Sequence, residues 1–158
     1  MASNGMRVLV GTTKGAFIVV GDADRSGWQV SGPHYGGWPI NHVIGDPASD
    51  TIWAGGGGDW HGASVWRSDD GGGTWHLCKL TKGQTDDWAA NDKDFAQMIG
   101  WRDEPLPFTS DFSQIWSLSH AHGALYAGTK PAGLLKSTDG GNSWERMQGL
   151  SDHTSAKD

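Results

Sequence analysis

The segment Asp59-Trp60-His61 sets an acid, an indole and an imidazole side by side behind a glycine run, Gly55 to Gly58. An exposed aromatic ring flanked by polar groups suits stacking on a sugar or anchoring a peptide. Trp88, Trp101 and His42 join these three as ligand-binding candidates, the first two from a long polar segment and His42 from the start of a strand. A competing reading makes the loop a flexible glycine turn whose Trp only packs, and His42 a filler of the interior. Asp59 and Glu104 are the carboxylates that glycoside hydrolysis would place on either side of a scissile bond. Aspartate is so common in this chain that no spacing singles out a pair.

Other residues with chemistry to offer are less well placed. His120-Ala121-His122 would turn two imidazoles to one side of an extended chain, but the motif holds no third ligand, so it reads as a solvated turn and no metal is assigned. Cys78 is the only cysteine. It has no recognisable His/Asn partner and reads as a small buried hydrophobe. The run Gly55 to Gly58 is not followed by Gly-Lys-Ser/Thr and so is no phosphate loop. No cofactor is implied.

Composition narrows the partners. A net charge of −6 argues against nucleic acid or an anionic membrane as partner. No apolar stretch approaches the ~20 residues that span a bilayer. The opening Met1 to Arg7 has no basic stretch leading into a long apolar one, and a single cysteine forms no intrachain disulfide. Both observations point to a reducing compartment, the cytoplasm. The chain holds 25 Gly, 10 Trp and sixteen Asp against two Glu. Asp and Gly favour tight turns and Trp favours sheets, so an all-β protein of many hairpins is expected.

Those hairpins carry an internal repeat. Ser68-Asp69-Asp70-Gly71-Gly72-Gly73-Thr74-Trp75 and Ser137-Thr138-Asp139-Gly140-Gly141-Asn142-Ser143-Trp144 both read Ser-x-Asp-x-Gly-x-(Thr/Ser)-Trp. In such a turn the carboxylates of Asp70 and Asp139 accept backbone N–H bonds. Ser68, Thr74, Ser137 and Ser143 add hydroxyls, Gly72 and Gly141 supply positive φ, and Trp75 and Trp144 lock the turn to the sheet. Segments 15–28, 62–75 and 131–144 align without gaps, with Ala16, Ala63 and Ala132 second and Trp28, Trp75 and Trp144 last. The first copy has Ala23 where Asp70 and Asp139 stand. This pattern resembles the Asp-box, or BNR, repeat of sialidase-like β-propellers, and the opening Met6 to Phe17 resembles that of bacterial BNR-repeat proteins often labelled glycosyl hydrolase.

A short apolar strand precedes each copy, a further candidate strand lies upstream of the last two, and a last strand follows each Trp, so a complete unit holds four antiparallel strands, one propeller blade. The expected layout is an incomplete blade at 6–32 lacking its inner strand, a blade at 33–80, a long insertion at 81–113, a blade at 114–150 and a tail at 151–158. Within the insertion, Asp92 to Ile99 reads as a short capped helix ending at Gly100, with Phe95, Met98 and Ile99 turned inward. About eleven strands make too few blades to close a ring. The chain is then part of a longer propeller, or copies assemble into a homo-oligomer through open blade edges.

The resemblance implies that function sits on the face opposite the Asp-box turns. That face carries the Asp59-Trp60-His61 loop and the insertion. Sialidase chemistry needs an arginine cluster and a Tyr/Glu nucleophile pair. The Arg-Ile-Pro motif of that family is absent, and Glu145 follows a box Trp in an outer strand. A module binding a glycan or a protein is the leading expectation, with a glycoside hydrolase using carboxylates of the same face as the alternative.

Overall fold

The computed structural model describes residues 6–109 and 111–154; the first five residues and the last four of the expected tail lie outside the described residues. The strands are β1 (Arg7–Thr12), β2 (Gly15–Gly21), β3 (Trp28–His34), β4 (Ile40–Gly45), β5 (Ile52–Gly56), β6 (Ser64–Ser68), β7 (His76–Lys79), β8 (Gln114–Ala121), β9 (Ala124–Lys130), β10 (Gly133–Ser137) and β11 (Glu145–Arg146). Helices α1 (Gln84–Asn91) and α2 (Lys93–Ile99) fall between β7 and β8, and α3 (Gln148–Ser151) follows β11. The strands form three open antiparallel sheets, ordered β1-β2-β3, β4-β5-β6-β7 and β8-β9-β10-β11. No described helix is long and apolar enough to cross a membrane.

The sequence repeat becomes a register repeat. Arg7 pairs with Val20, Trp53 with Arg67 and Tyr126 with Lys136. Val20, Arg67 and Lys136 each stand eight residues before the closing Trp of their copy. Side chains alternate across a strand, so this shared register gives each sheet the same two faces. Leu9 and Ile18 of the first sheet meet Val43, Ala54 and Trp66 of the second. On its other face, the second sheet sends Trp53 and Val65 against Leu118, Ala127 and Leu135 of the third. Trp66 is fully buried, and truncating such a residue to Ala costs about 3–5 kcal/mol.

The two Ser-x-Asp turns close through matching bonds. Thr74 N–H and Ser143 N–H donate to Asp70 and Asp139 Oδ1 at 2.8 and 2.9 Å, and Gly72 N–H and Gly141 N–H donate to Ser68 and Ser137 Oγ at 2.8 Å each. The indoles of Trp75 and Trp144 donate back to Gly72 O and Gly141 O, at 3.1 and 3.0 Å. These bonds hold the Asp70 carboxyl down to about 2, the Thr74 N–H contributing most. Asp139 is held well below the usual carboxylate range, chiefly by the Ser143 hydroxyl. The first copy keeps the shape by other means: Asp22 Oδ2 accepts from Gly27 N–H at 2.8 Å, and Arg25 takes the positive φ, 62°, at the position of Gly72 and Gly141.

Several expectations need correction. Strand β8 runs through Ser119 and His120 to Ala121, so these residues are not a turn. The reversal takes only His122 and Gly123, both at positive φ, as a two-residue hairpin requires. Strand β3 continues to His34, which pairs with Ala16 beyond a register shift. The last strand shrinks to Glu145–Arg146 because α3 takes up the chain that follows. Helix α2 forms with the expected caps, Asp92 accepting from Phe95 N–H at 2.9 Å and Gly100 at φ 67°. Its inward face is not the expected one. Phe95 is partly covered, but Met98 and Ile99 face solvent, because α2 rests on the insertion and not on a sheet core.

Candidate functional site

The Asp59-Trp60-His61 loop leaves β5 through Gly57 and re-enters β6 through Gly62, both at positive φ. A Cβ on Gly57 would run into the Gly62 carbonyl, so the loop doubles back only with glycine there. Its carbonyls then face the start of α1. Gln84 N–H donates to Asp59 O at 2.9 Å and Thr85 N–H to Trp60 O at 3.0 Å. Thr85 Oγ1 also donates to Trp60 O, at 2.9 Å. Donors that a helix start leaves unpaired are thereby taken up by the loop.

Trp88 stands one turn along α1 from Thr85, and this brings it to Trp60. The two indoles meet edge to face, ring centroids 6.1 Å apart, and Trp88 stacks on Phe95 of α2 at 4.1 Å with planes 13° apart. Trp60 is 46% exposed and Trp88 48%. Three aromatic rings from three elements therefore make one platform, with both indoles about half exposed. Asp59 is exposed beside it, and among the described residues its carboxylate makes no hydrogen bond or ion pair.

His61 turns the other way. Its imidazole stacks on Trp38 with centroids 4.0 Å apart and planes 15° apart, and Nε2 lies 3.2 Å from Gly37 O. Trp38 in turn meets buried Trp66 edge to face. Burial, the largest influence, pushes the His61 pKa down. The neutral ring with its proton on Nε2 fits this setting. His61 is packing beneath the loop, not part of the platform.

The remaining candidates are dispersed. His42 Nδ1 accepts the Leu118 N–H at 2.9 Å, and neighbouring Asn41 donates to Ile115 O at 2.9 Å. Together they take up backbone groups of the edge strand β8. Trp101 donates through Nε1 to Asp86 at 3.0 Å. Glu104 borders a cavity of about 850 Å³ that also touches Cys78, Lys79, Trp101, Asn142 and Trp144. Asp59 does not line it, so the structure does not gather Asp59 and Glu104 into one cleft. His120 lies tilted against Trp53. No group of three His, Cys, Asp or Glu side chains suited to a metal occurs among the described residues.

Two positioning features escaped sequence reasoning. Helix α1 forms in a stretch expected only as insertion, although Gly83-Gln84-Thr85-Asp86 carries a helix-start signal in its acid three residues on. Buried Asp86 then organises the insertion. It accepts from Gly83 N–H at 2.8 Å and from Lys79 Nζ at 2.6 and 2.5 Å. Burial raises its pKa, but Gly83 N–H, Lys79 and Trp101 outweigh that and leave it lowered. Cys78 is half-buried against the core, and burial pushes its thiol pKa up.

No protein-family model matches the chain, and no curated protein matches it. Its chemistry must be read from these residues. Two half-exposed indoles set edge to face, one of them stacked on a phenyl ring, offer apolar surface, with one unpaired carboxylate alongside. Rings and a carboxylate placed this way can stack on a flat face and accept a hydrogen bond.

Proposed function

We propose that this chain is a run of Asp-box propeller blades that serves as a glycan-binding module, with the Trp60–Trp88–Phe95 platform as its contact surface. The platform carries the reading: two indoles from a loop and a helix meet there, each nearly half exposed, beside an exposed carboxylate. The C–H face of a pyranose stacks on such rings, and the Asp59 carboxylate can accept a sugar hydroxyl. An aromatic pair contributes about 0.5–1.5 kcal/mol beyond its buried area, and a sugar face on one ring is taken as comparable. Affinity from one platform is therefore modest.

The propeller part of the reading rests on three sheets in a common register and two turns with matching bonds. It places the platform on the face away from both Ser-x-Asp turns. A hydrolase reading gains no support, since Asp59 and Glu104 do not share a cleft. The test is an array of β-linked neutral and sialylated oligosaccharides probed with the chain and with a Trp60→Ala/Trp88→Ala variant. Binding by the first and not the second supports the reading; equal signals overturn it. Aryl glycosides run in parallel would show turnover if the site were hydrolytic.

A further inference from the structure

Each ring of the platform directly follows an aspartate in the chain: Asp59-Trp60, Asp87-Trp88 and Asp94-Phe95. All three aspartates are exposed, and among the described residues none of their carboxylates takes part in a hydrogen bond or an ion pair. The same step occurs once more before a Trp or Phe, at Asp111-Phe112, and there the carboxylate is taken by Arg146 at 3.1 Å. Free carboxylates are therefore a property of the platform and not of the dipeptide.

The neighbouring charges do not answer them. Lys79 is bound to Asp86, Lys82 lies 3.1 Å from Asp103, and Asp92 accepts the Phe95 N–H as the cap of α2. Lys93, exposed at the start of α2, is the one cation beside the three carboxylates in sequence, and it makes no ion pair among the described residues. Three carboxylates against one ammonium leave the rim acidic. The ring faces hold no cation of the chain either: among the described residues the one cation–π contact sets Lys130 over Trp116, on the third sheet. Asp87 and Asp94 stand in the first turns of α1 and α2, where a carboxylate favours the helix start. Asp59 belongs to no helix, yet it borders the same rings. An aromatic face attracts a cation set over it, and a carboxylate beside the ring adds to that attraction.

We infer that the platform selects glycans whose sugar units carry a free, protonated amino group, such as β-linked glucosamine oligomers, over the same sugars N-acetylated or bearing a carboxylate. This specificity rests on the glycan-binding reading and deepens it. The rings are the contact surface, and the carboxylates beside them decide the charge of what lies on it. A pyranose stacked on an indole directs its ammonium to the adjacent aspartate. The acetamide of an N-acetylated unit brings no charge to that place, and the carboxylate of a sialylated unit is repelled from it. Exposed charges are screened over about 8 Å at physiological salt, so the preference is strongest in dilute buffer.

Calorimetric titration of the full chain at mildly acidic pH tests this, with a β-linked glucosamine oligomer and its fully N-acetylated counterpart of equal length as probes. In low salt the first should bind about tenfold more tightly than the second, and the ratio should shrink as salt is added. In the Asp59→Asn/Asp87→Asn/Asp94→Asn variant the ratio should approach one. A Glu145→Gln/Asp152→Asn variant, which loses charge away from the platform, should keep it. Equal affinity of the wild type for the two oligomers overturns the inference and leaves the glycan reading standing. A preference that survives in the triple variant overturns it too, since the attraction would then come from the chain's net charge of −6 as a whole. If neither oligomer binds, the inference falls, and the oligosaccharide array decides whether the glycan reading falls with it. Oligolysine bound where neither oligomer binds would assign the rings to a basic peptide and overturn the inference.

Discussion

The carbonyl of Trp60 accepts two hydrogen bonds from Thr85, one from its N–H and one from its hydroxyl, at 3.0 and 2.9 Å. A loop between two strands is thereby fastened to the first turn of a helix, and the Trp60 indole is held against Trp88. Truncating either ring removes one stacking surface. Trp60→Ala and Trp88→Ala should each weaken oligosaccharide binding about tenfold, the equivalent of roughly 1.4 kcal/mol. Because both side chains are half exposed, the melting temperature should change little. Calorimetric titration beside thermal unfolding reads both effects.

Acid should loosen the two Ser-x-Asp turns. A carboxyl whose folded pKa lies below its unfolded value stabilises the fold fully above the unfolded pKa and ceases to do so as pH falls through the folded one. For Asp70 that window runs from the ordinary 3.8 down to about 2, and Asp139 extends it lower. Melting temperature should fall across this window in the wild type. The Asp70→Asn/Asp139→Asn variant should melt lower at neutral pH and show a flatter acid limb. Both carboxylates are solvent-exposed, so the amplitude should be small and reduced further by salt.

Gly140 is a test of how the sheets are joined. It sits at φ 73°, and a Cβ there would run into the Arg67 guanidinium. Gly140→Ala should cost more than about 1 kcal/mol, from left-handed strain alone, with the lost Arg67 contact added. Gly149 has open space around its Cβ position. Gly149→Ala should be neutral or mildly stabilising in the same urea titration.

His61 should remain neutral at physiological pH. Stacked on Trp38 and shielded, its ring should titrate below the ordinary value of about 6.5, and Trp38→Ala should raise the midpoint. Carbon-bound proton shifts of the imidazole followed against pH give the number. A midpoint above the ordinary value would show the ring paired with an acid instead.

The sequence made the sheets legible because each is local: three hairpin-linked runs marked by Ser-x-Asp turns and a closing Trp at one spacing. Even the eroded first copy keeps the geometry, Asp22 and Arg25 standing in for an aspartate and a glycine. The insertion was less legible. Helix α1 is held by partners distant in sequence, Asp59, Trp60 and Lys79, and its own pattern is mostly polar. The same cause misplaced Met98 and Ile99, since periodicity gives an apolar side of α2 but not the neighbour it meets. Among site residues, Trp60 and Trp88 were both singled out, but nothing in their spacing showed that they touch. Local sequence likewise did not show that His61 and His42 are committed to Trp38 and to the β8 edge.

The most direct test of the platform is a two-dimensional NMR titration of the indole N–H signals with the oligosaccharide that binds the array most strongly. The signals of Trp60 and Trp88 should shift together and saturate, while those of Trp53 and Trp144, bonded to Gly140 O and Gly141 O, stay in place. Shifts confined to Trp101 and Trp144 would place the ligand in the cavity beside Glu104 and contradict the account.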